Sequence, residues 1–213
     1  MADTQFRPVR GGVTFDSEGN EGGKYHSRKL HVPGSTSGLT IGRGYDMGAK
    51  TAAQITTDLT TAGVELAMAK TLSGAATLRG ENAKKFIKDN KVADFEISEL
   101  AQKTLFEITY ASEESTARGV CERAKDYGTC DWEKLHPAIQ EMIVDLKYRG
   151  DYTPETRKLV QPLIVANDLE GFAKAIANEK YWVDGKNVPL DRFKRRRAFI
   201  EEAVAKQPLT STN

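Results

Sequence analysis

Two short polar segments carry the residues whose types and spacing could do chemistry. In the first, Glu18 comes just before the turn-forming pair Gly19-Asn20. In the second, residues 39–46 (Leu-Thr-Ile-Gly-Arg-Gly-Tyr-Asp) pass from a β-favouring run through a Gly-x-Gly turn to an aspartate. A hairpin that folds back would bring Glu18, Thr40 and Asp46 together. An acid, a hydroxyl able to hold a water and a second carboxylate suit glycoside hydrolysis.

Glycoside hydrolysis gives each of these side chains a role. Glu18 is the predicted general acid, which requires partial burial or a neighbouring negative charge to raise its pKa. Thr40 orients the water, and Asp46 polarises it or stabilises the positive sugar. Because Asp46 lies beyond the glycine turn, we predict room for a water between the two carboxyl groups, and therefore inversion at the anomeric carbon. Asp46 is also a predicted N-cap for the helical region after it.

The order of these segments resembles the phage-type lysozymes, which are muramidases. The shared pieces are a Glu-Gly element, a turn-rich segment and then Thr-Ile-Gly-x-Gly. The pesticin-like muramidase domain is closest in motif, because the chain reads Thr-Ile-Gly-Arg-Gly-Tyr-Asp with Ser-Arg-Lys-Leu-His upstream. The likeness covers residues 13–48. It implies a lysozyme-like α+β fold, with a small β-hairpin lobe, a larger mostly helical lobe and a cleft between them.

The resemblance also implies that Glu18, Thr40 and Asp46 form the catalytic set, with one departure from the family pattern. Many phage lysozymes place an aspartate between the glutamate and the threonine, whereas residues 19–39 contain none and have Glu21 as their only acid. The usual Gly-x-Gly-His is also replaced, since Tyr45 follows the second glycine. Asp46 is therefore the predicted second carboxylate, and Glu21 is held in reserve.

The reaction that the resemblance implies is cleavage of the β-1,4 bond between N-acetylmuramic acid and N-acetylglucosamine in peptidoglycan. Predicted substrate contacts are Tyr25, Arg43, Tyr45 and Glu21. The alternatives are a lytic transglycosylase, a chitosan-type glycosidase and a catalytically inactive cell-wall-binding module. A Ser-His-Asp hydrolase lacks its Gly-x-Ser-x-Gly element, and Gly42-x-Gly44 lacks the remainder of a phosphate loop. An antibacterial effector or a phage lysis enzyme would fit, with a possible immunity protein as partner.

The chain has 213 residues, of which 39% are apolar and 29% are charged, so the protein should be soluble. We also expect it to be a monomer. Lys and Arg total 31 against 30 acids, so no global field for nucleic acid is expected. Neither a membrane span nor a signal peptide is predicted. Action in the periplasm or outer cell wall would then require a holin, bacteriocin import, a secretion machine or a larger polypeptide. We expect no cofactor, and His26, His31 and His136 lack metal-ligand spacing.

The rest of the chain reads as a helical scaffold. We predict a flexible lead-in over 1–12, a muramidase domain over 13–207 and a disordered tail over 208–213. Within the domain, 13–48 is the β-rich catalytic region and 49–207 the helical lobe. Helices are predicted at the following places: 50–61, 64–72, 82–91, from Ser98, from Pro137, after Thr153, after Asp168 and over 190–206.

Four further expectations concern single features of this scaffold. Pro162 should kink or restart its helix. The turn at 181–185 should expose Tyr181 and Trp182. The basic run 194–197 should be a solvated helix face with one arginine turned inward to an acid. Cys121 and Cys130 are compatible with either free thiols or a local disulfide, whereas two cysteines alone make a poor zinc site.

Overall fold

The computed structural model describes residues 6–23, 26–123 and 127–207. This part of the chain is mostly helical and contains one two-stranded antiparallel sheet. The predicted α+β class is confirmed at this level. The elements are α1 (Gly12–Ser17), β1 (Thr40–Ile41), β2 (Tyr45–Asp46), α2 (Ala52–Thr61), α3 (Leu66–Ser73), α4 (Gly80–Asp89), α5 (Glu99–Glu122), α6 (Pro137–Arg149), α7 (Pro154–Val165), α8 (Leu169–Ile176) and α9 (Leu190–Ala205).

The chain divides into two compact units, Met1–Ala111 and Ser112–Asn213, and the boundary falls inside the long helix α5. The boundary predicted after residue 48 lies within the first unit, because the glycine-rich region packs with α2, α3 and α4. None of the helices in the described ranges combines the length and apolar character needed to cross a membrane.

The first unit has a core made by the hairpin and the helices after it. Its fully buried members include Leu39, Ile41, Tyr45, Met47, Ile55, Leu59, Ala69 and Leu72. Helix α2 starts with a capping box, in which the Thr51 side chain accepts from the Gln54 backbone and the Gln54 side chain accepts from the Thr51 backbone. Hydrophobic burial therefore ties the short sheet to a helical support.

The second unit follows the local signals of its sequence closely. Helix α6 begins at Pro137 and ends at Arg149, and it is followed by Gly150, whose φ of 86° suits a residue without a Cβ. The side chains of Thr153 and Asp168 cap α7 and α8, as predicted. Arg196 turns inward to the buried Asp145, which confirms the expectation for the basic run.

One expectation for the second unit is wrong and another is wrong in part. Helix α7 runs without a restart from Pro154 to Val165 through Pro162, which has no N–H for the helix ladder, and the expected kink stays a prediction. Trp182 is buried, with 1% exposure, in a π-helical turn over Lys180–Gly185. Its indole Nε1 donates to the Ala175 carbonyl at 2.9 Å, so the ring can enter the core without stranding its polar atom.

Cys121 and Cys130 form a disulfide in this structure, which settles the alternatives left open by the sequence. Gln161 donates to the carbonyls of Cys121 and Gly128, at 3.3 and 3.2 Å, and so links α7 to the bridged segment. The predicted tail over 208–213 lies outside the described residues.

Candidate active site

A tight hairpin presents Thr40. Strands β1 and β2 pair with Thr40 opposite Asp46 and Ile41 opposite Tyr45. The turn between them is Gly42-Arg43-Gly44, and both glycines have positive φ, 63° and 90°. Side chains at these two positions would be strained, so the Gly-x-Gly spacing is a requirement of the turn. The anchoring pair Ile41 and Tyr45 is fully buried.

Glu18 and Thr40 line one cleft of about 750 Å³. The cleft lies within the first unit, beside the hairpin turn and the segment that precedes it. Its described lining residues are Ser17, Glu18, Gly19, Asn20, Gly23, His26, Ser27, Lys29, Leu30, His31, Val32, Pro33, Thr40, Gly42, Gly44 and Ala93. The two sequence motifs are therefore brought together, although 22 positions separate Glu18 from Thr40 in the chain.

Glu18 sits at the C-terminal end of α1, where its backbone N–H donates to the Thr14 carbonyl at 2.9 Å. The Arg43 guanidinium donates to one carbonyl before Glu18, that of Phe15 at 2.5 Å, and to one after it, that of Gly19 at 3.1 Å. It also lies 4.1 Å from the centre of the Phe15 ring. Arg43, 7% exposed, thus holds the backbone around Glu18, and its contact with substrate stays a prediction.

Thr40 is held on both sides of its strand. Its backbone exchanges two hydrogen bonds with His31, at 2.8 and 3.0 Å, and its hydroxyl donates to the Gly38 carbonyl at 3.2 Å. Across the hairpin, Asp46 accepts from the backbone N–H groups of Gly48 at 2.7 Å and Gly38 at 3.2 Å. Asp46 caps the 3₁₀ turn Met47–Ala49, as its position predicted, and its carboxylate is not part of the described cleft lining.

Glu21 is the centre of a cluster of donors beside the cleft. Its carboxylate accepts from Gln102 at 2.6 Å, from Arg28 at 3.0 Å and from Arg43 at 3.1 Å. Partial burial raises the pKa of Glu21, but these three hydrogen bonds outweigh it and hold the pKa below the ordinary 4.5. Glu21 is therefore an ionised anchor for two arginines rather than a free nucleophile.

This lowered pKa gives a pH dependence of stability. We expect Glu21→Gln to reduce the free energy of unfolding at neutral pH by about 1 kcal/mol, a charged hydrogen-bond contribution discounted for partial exposure. The contribution of Glu21 is present above pH 4.5 and is lost as pH falls through its lower folded-state pKa, so the variant and the wild type should converge in acid. Melting curves from pH 7 to pH 3 measure this difference.

Glu81→Gln is the matched control, because Glu81 is exposed and pairs with Lys84 at the surface, so this substitution should change the melting temperature much less than Glu21→Gln does. A gap between Glu21→Gln and wild type that stays constant down to pH 3 would show that the charge is not responsible.

Gly19 is needed at the cleft for a steric reason. A Cβ at this position would lie 2.3 Å from Ser27 Oγ and 2.9 Å from Arg43 Cγ. Ser27 cannot turn away freely, because its hydroxyl accepts from the Asn20 N–H at 2.8 Å and donates to the Asn20 carbonyl at 2.7 Å. We expect Gly19→Ala to destabilise the protein by about 1–3 kcal/mol, measured by denaturant unfolding.

Gly12→Ala is the control for that substitution, since the nearest atom to its Cβ, the Nη2 of Arg7, is 3.7 Å away. Equal stability of Gly19→Ala and Gly12→Ala would refute the steric argument.

Tyr45 is a core residue, so its predicted contact with substrate is corrected. Its side chain is fully buried, and its hydroxyl donates to Asp58 at 2.8 Å. Burial, together with the Asp58 carboxylate, raises the pKa of Tyr45 well above its ordinary value. A ring enclosed in this way has no face for a sugar. The other predicted aromatic contact, Tyr25, lies outside the described residues.

Three further residues line the cleft, although the sequence interpretation did not assign them to it: His26, Lys29 and His31. His26 Nδ1 accepts from the Gly22 N–H at 2.7 Å, and its Nε2 pairs with Glu96 at 2.9 Å. The sequence contained a signal for this placement, because all three residues lie between the two motifs. Within the described ranges, no group of three His, Cys, Asp or Glu side chains could hold a metal ion.

A family model described as "Domain of unknown function (DUF8812)" matches residues 11–197. The chain belongs to this family. The DUF8812 match starts one residue before α1 and ends within α9, so it contains every described residue of the cleft. No curated protein matches the chain in a sequence comparison.

Proposed function

We propose that this protein is a peptidoglycan muramidase with a lysozyme-like arrangement of its cleft. The observation that carries the proposal is that Glu18 and Thr40, from two separate motifs, line one cleft. The resemblance of these motifs to the phage-type and pesticin-like muramidases supports the same reaction. The substrate is the β-1,4 bond between N-acetylmuramic acid and N-acetylglucosamine. An antibacterial effector or a phage lysis enzyme, acting at the cell wall, would use this activity.

In this proposal Glu18 is the general acid that protonates the leaving glycosidic oxygen. The Thr40 hydroxyl gives its one proton to the Gly38 carbonyl, so its remaining lone pairs accept a hydrogen bond from the attacking water. Asp46 supports this arrangement, because its carboxylate accepts from the backbone N–H groups of Gly38 and Gly48. Its negative charge also favours the positive sugar of the transition state.

The test is loss of turbidity of purified bacterial walls, followed by mass spectrometry of the released fragments. Hydrated reducing ends support the proposal. Anhydro sugars would mean a lytic transglycosylase, and cleavage of chitosan without wall clearing would mean a different polysaccharide substrate. Binding to walls with no soluble fragments between pH 4 and pH 8 would mean an inactive wall-binding module.

The first anomer released, read by NMR before mutarotation, separates the two stereochemical courses. Inversion gives the α-anomer, and it is the expected result because no second carboxylate among the described lining residues could form a covalent adduct. Release of the β-anomer would indicate retention and a nucleophile other than water, such as the substrate acetamide.

A further inference from the structure

We propose that His31 is the base that takes the proton from the attacking water, an inference that rests on the proposed function. The starting observation is that the described cleft lining offers no second carboxylate to act as the general base. Inversion requires a general acid and a general base, and Glu18 carries the only carboxylate among the described residues that line the cleft. Asp46 and Glu21, the two other predicted carboxylates, each accept from donors of the protein itself.

The hydrogen bonds of His31 fix which nitrogen can act as a base. Its Nδ1 lies 2.9 Å from the Lys29 carbonyl oxygen. A carbonyl oxygen only accepts, so Nδ1 carries the hydrogen in this contact. In the neutral ring, the lone pair is then on Nε2. A histidine oriented by a carbonyl at one nitrogen and open to a reactant at the other is a common arrangement for general base catalysis.

The backbone places His31 beside Thr40. The two residues form an antiparallel bridge in which each N–H donates to the carbonyl of the other. Residues directly opposite each other across antiparallel strands project side chains to the same face of the sheet. Both residues line the cleft that contains Glu18. A water that donates one hydrogen to the Thr40 oxygen can therefore present its other hydrogen to His31 Nε2.

The charged and titratable residues that line the cleft with His31 come from two parts of the chain. Lys29 and His26 face the cleft from its own segment, and Glu18 faces it from the end of α1. His26 is engaged by Gly22 and Glu96, as described above. Thr40 and Ala93, which line the cleft from the hairpin and from the loop after α4, bring no charge.

The proton balance of the step is closed. One O–H bond of water breaks and its proton goes to His31 Nε2, while the water oxygen bonds to the anomeric carbon. The bond from that carbon to the leaving oxygen breaks, and the Glu18 proton moves to the leaving oxygen. The products leave His31 protonated and Glu18 ionised, and one proton returns through solvent from the first to the second.

The test uses the full chain with His31→Gln, which keeps a polar side chain but has no basic nitrogen to take up a proton. We expect kcat on purified walls to fall about a hundredfold, at the low end for loss of a general base, with KM changed little. The acid limb of the wild-type pH profile should be absent from the profile of the variant. In His31→Ala, added imidazole should restore part of the activity.

His136→Gln is the matched control, because it removes a histidine of the second unit that caps α6 outside the cleft. It should keep wild-type activity. Retention of activity by His31→Gln, with wild type active and Glu18→Gln inactive, would overturn this inference and leave the proposed function standing. An equal loss at every pH without rescue by imidazole would also overturn it, since a structural role gives that result. An inactive wild type would instead refute the proposed function.

Discussion

We expect Glu18→Gln to lower the rate of wall clearing at least about a hundredfold while the fold remains intact. The amide keeps the size of the side chain at the end of α1 but has no proton to transfer to the leaving oxygen. Glycosidic bond cleavage without that proton must expel a poor leaving group, so the loss should appear in kcat. Initial rates of turbidity loss, with circular dichroism on the same samples, measure the effect.

Asp16→Asn is the control for Glu18→Gln. Asp16 lies two residues earlier, pairs with Arg7 and is not among the described lining residues of the cleft. The same carboxylate-to-amide change there should leave activity unchanged. If Glu18→Gln clears walls at the wild-type rate with an unchanged circular dichroism spectrum, Glu18 has no part in the chemistry.

The largest expected effect on stability is that of Asp145→Ala in the second unit. Asp145 is fully buried on α6 and accepts from Arg192 at 2.7 Å and from Arg196 at 2.5 Å, both on α9. Burial alone would raise the pKa of Asp145, but the charges of Arg196 and Arg192 outweigh it and lower the pKa. Removing the carboxylate leaves these buried arginines short of their partner.

Breaking a buried pair in this way costs about 3–5 kcal/mol, because the remaining charge stays out of water without compensation. Arg196 has 1% exposure and retains Asp151 as a carboxylate partner, at 2.8 Å. Denaturant unfolding of Asp145→Ala and wild type measures the loss. Asp191→Asn is the control, since Asp191 makes an exposed pair with Arg195 on the same helix and should change stability by less than about 0.5 kcal/mol. Equal effects of the two substitutions would contradict the buried-pair argument.

The short helix α1 shows where sequence patterns are insufficient. Its six residues include a glycine and few apolar side chains, so no helical periodicity marks it. The helix is stabilised by contacts from distant residues. Phe15 packs edge-on against Phe106 at 5.0 Å between ring centres, and Arg43 binds the Phe15 carbonyl. A prediction that reads only neighbouring residues has no access to these contacts.

The candidate site likewise combines features that are visible in the sequence with contacts that depend on the fold. Its two motifs are visible in the sequence because a glycine turn and an acid before a Gly-Asn pair are local features. The partners of Glu21, in contrast, include a distant residue. Glu21 receives its shortest hydrogen bond from Gln102, 81 residues away, and this contact makes Glu21 an anchor. Asp46 accepts from backbone N–H groups close to it in the chain, whereas the pairing of His31 with Thr40 depends on how the chain folds back.

By itself, the sequence determined the starts of the capped helices, because Thr51, Thr153 and Asp168 each act on backbone groups within three residues. It also determined the Gly-x-Gly turn, since both glycines adopt φ values that other residues avoid. Only the tertiary structure decided which side chains are enclosed and which face the cleft. Burial and ion pairing depend on atoms brought together from distant parts of the chain, which local propensity does not encode.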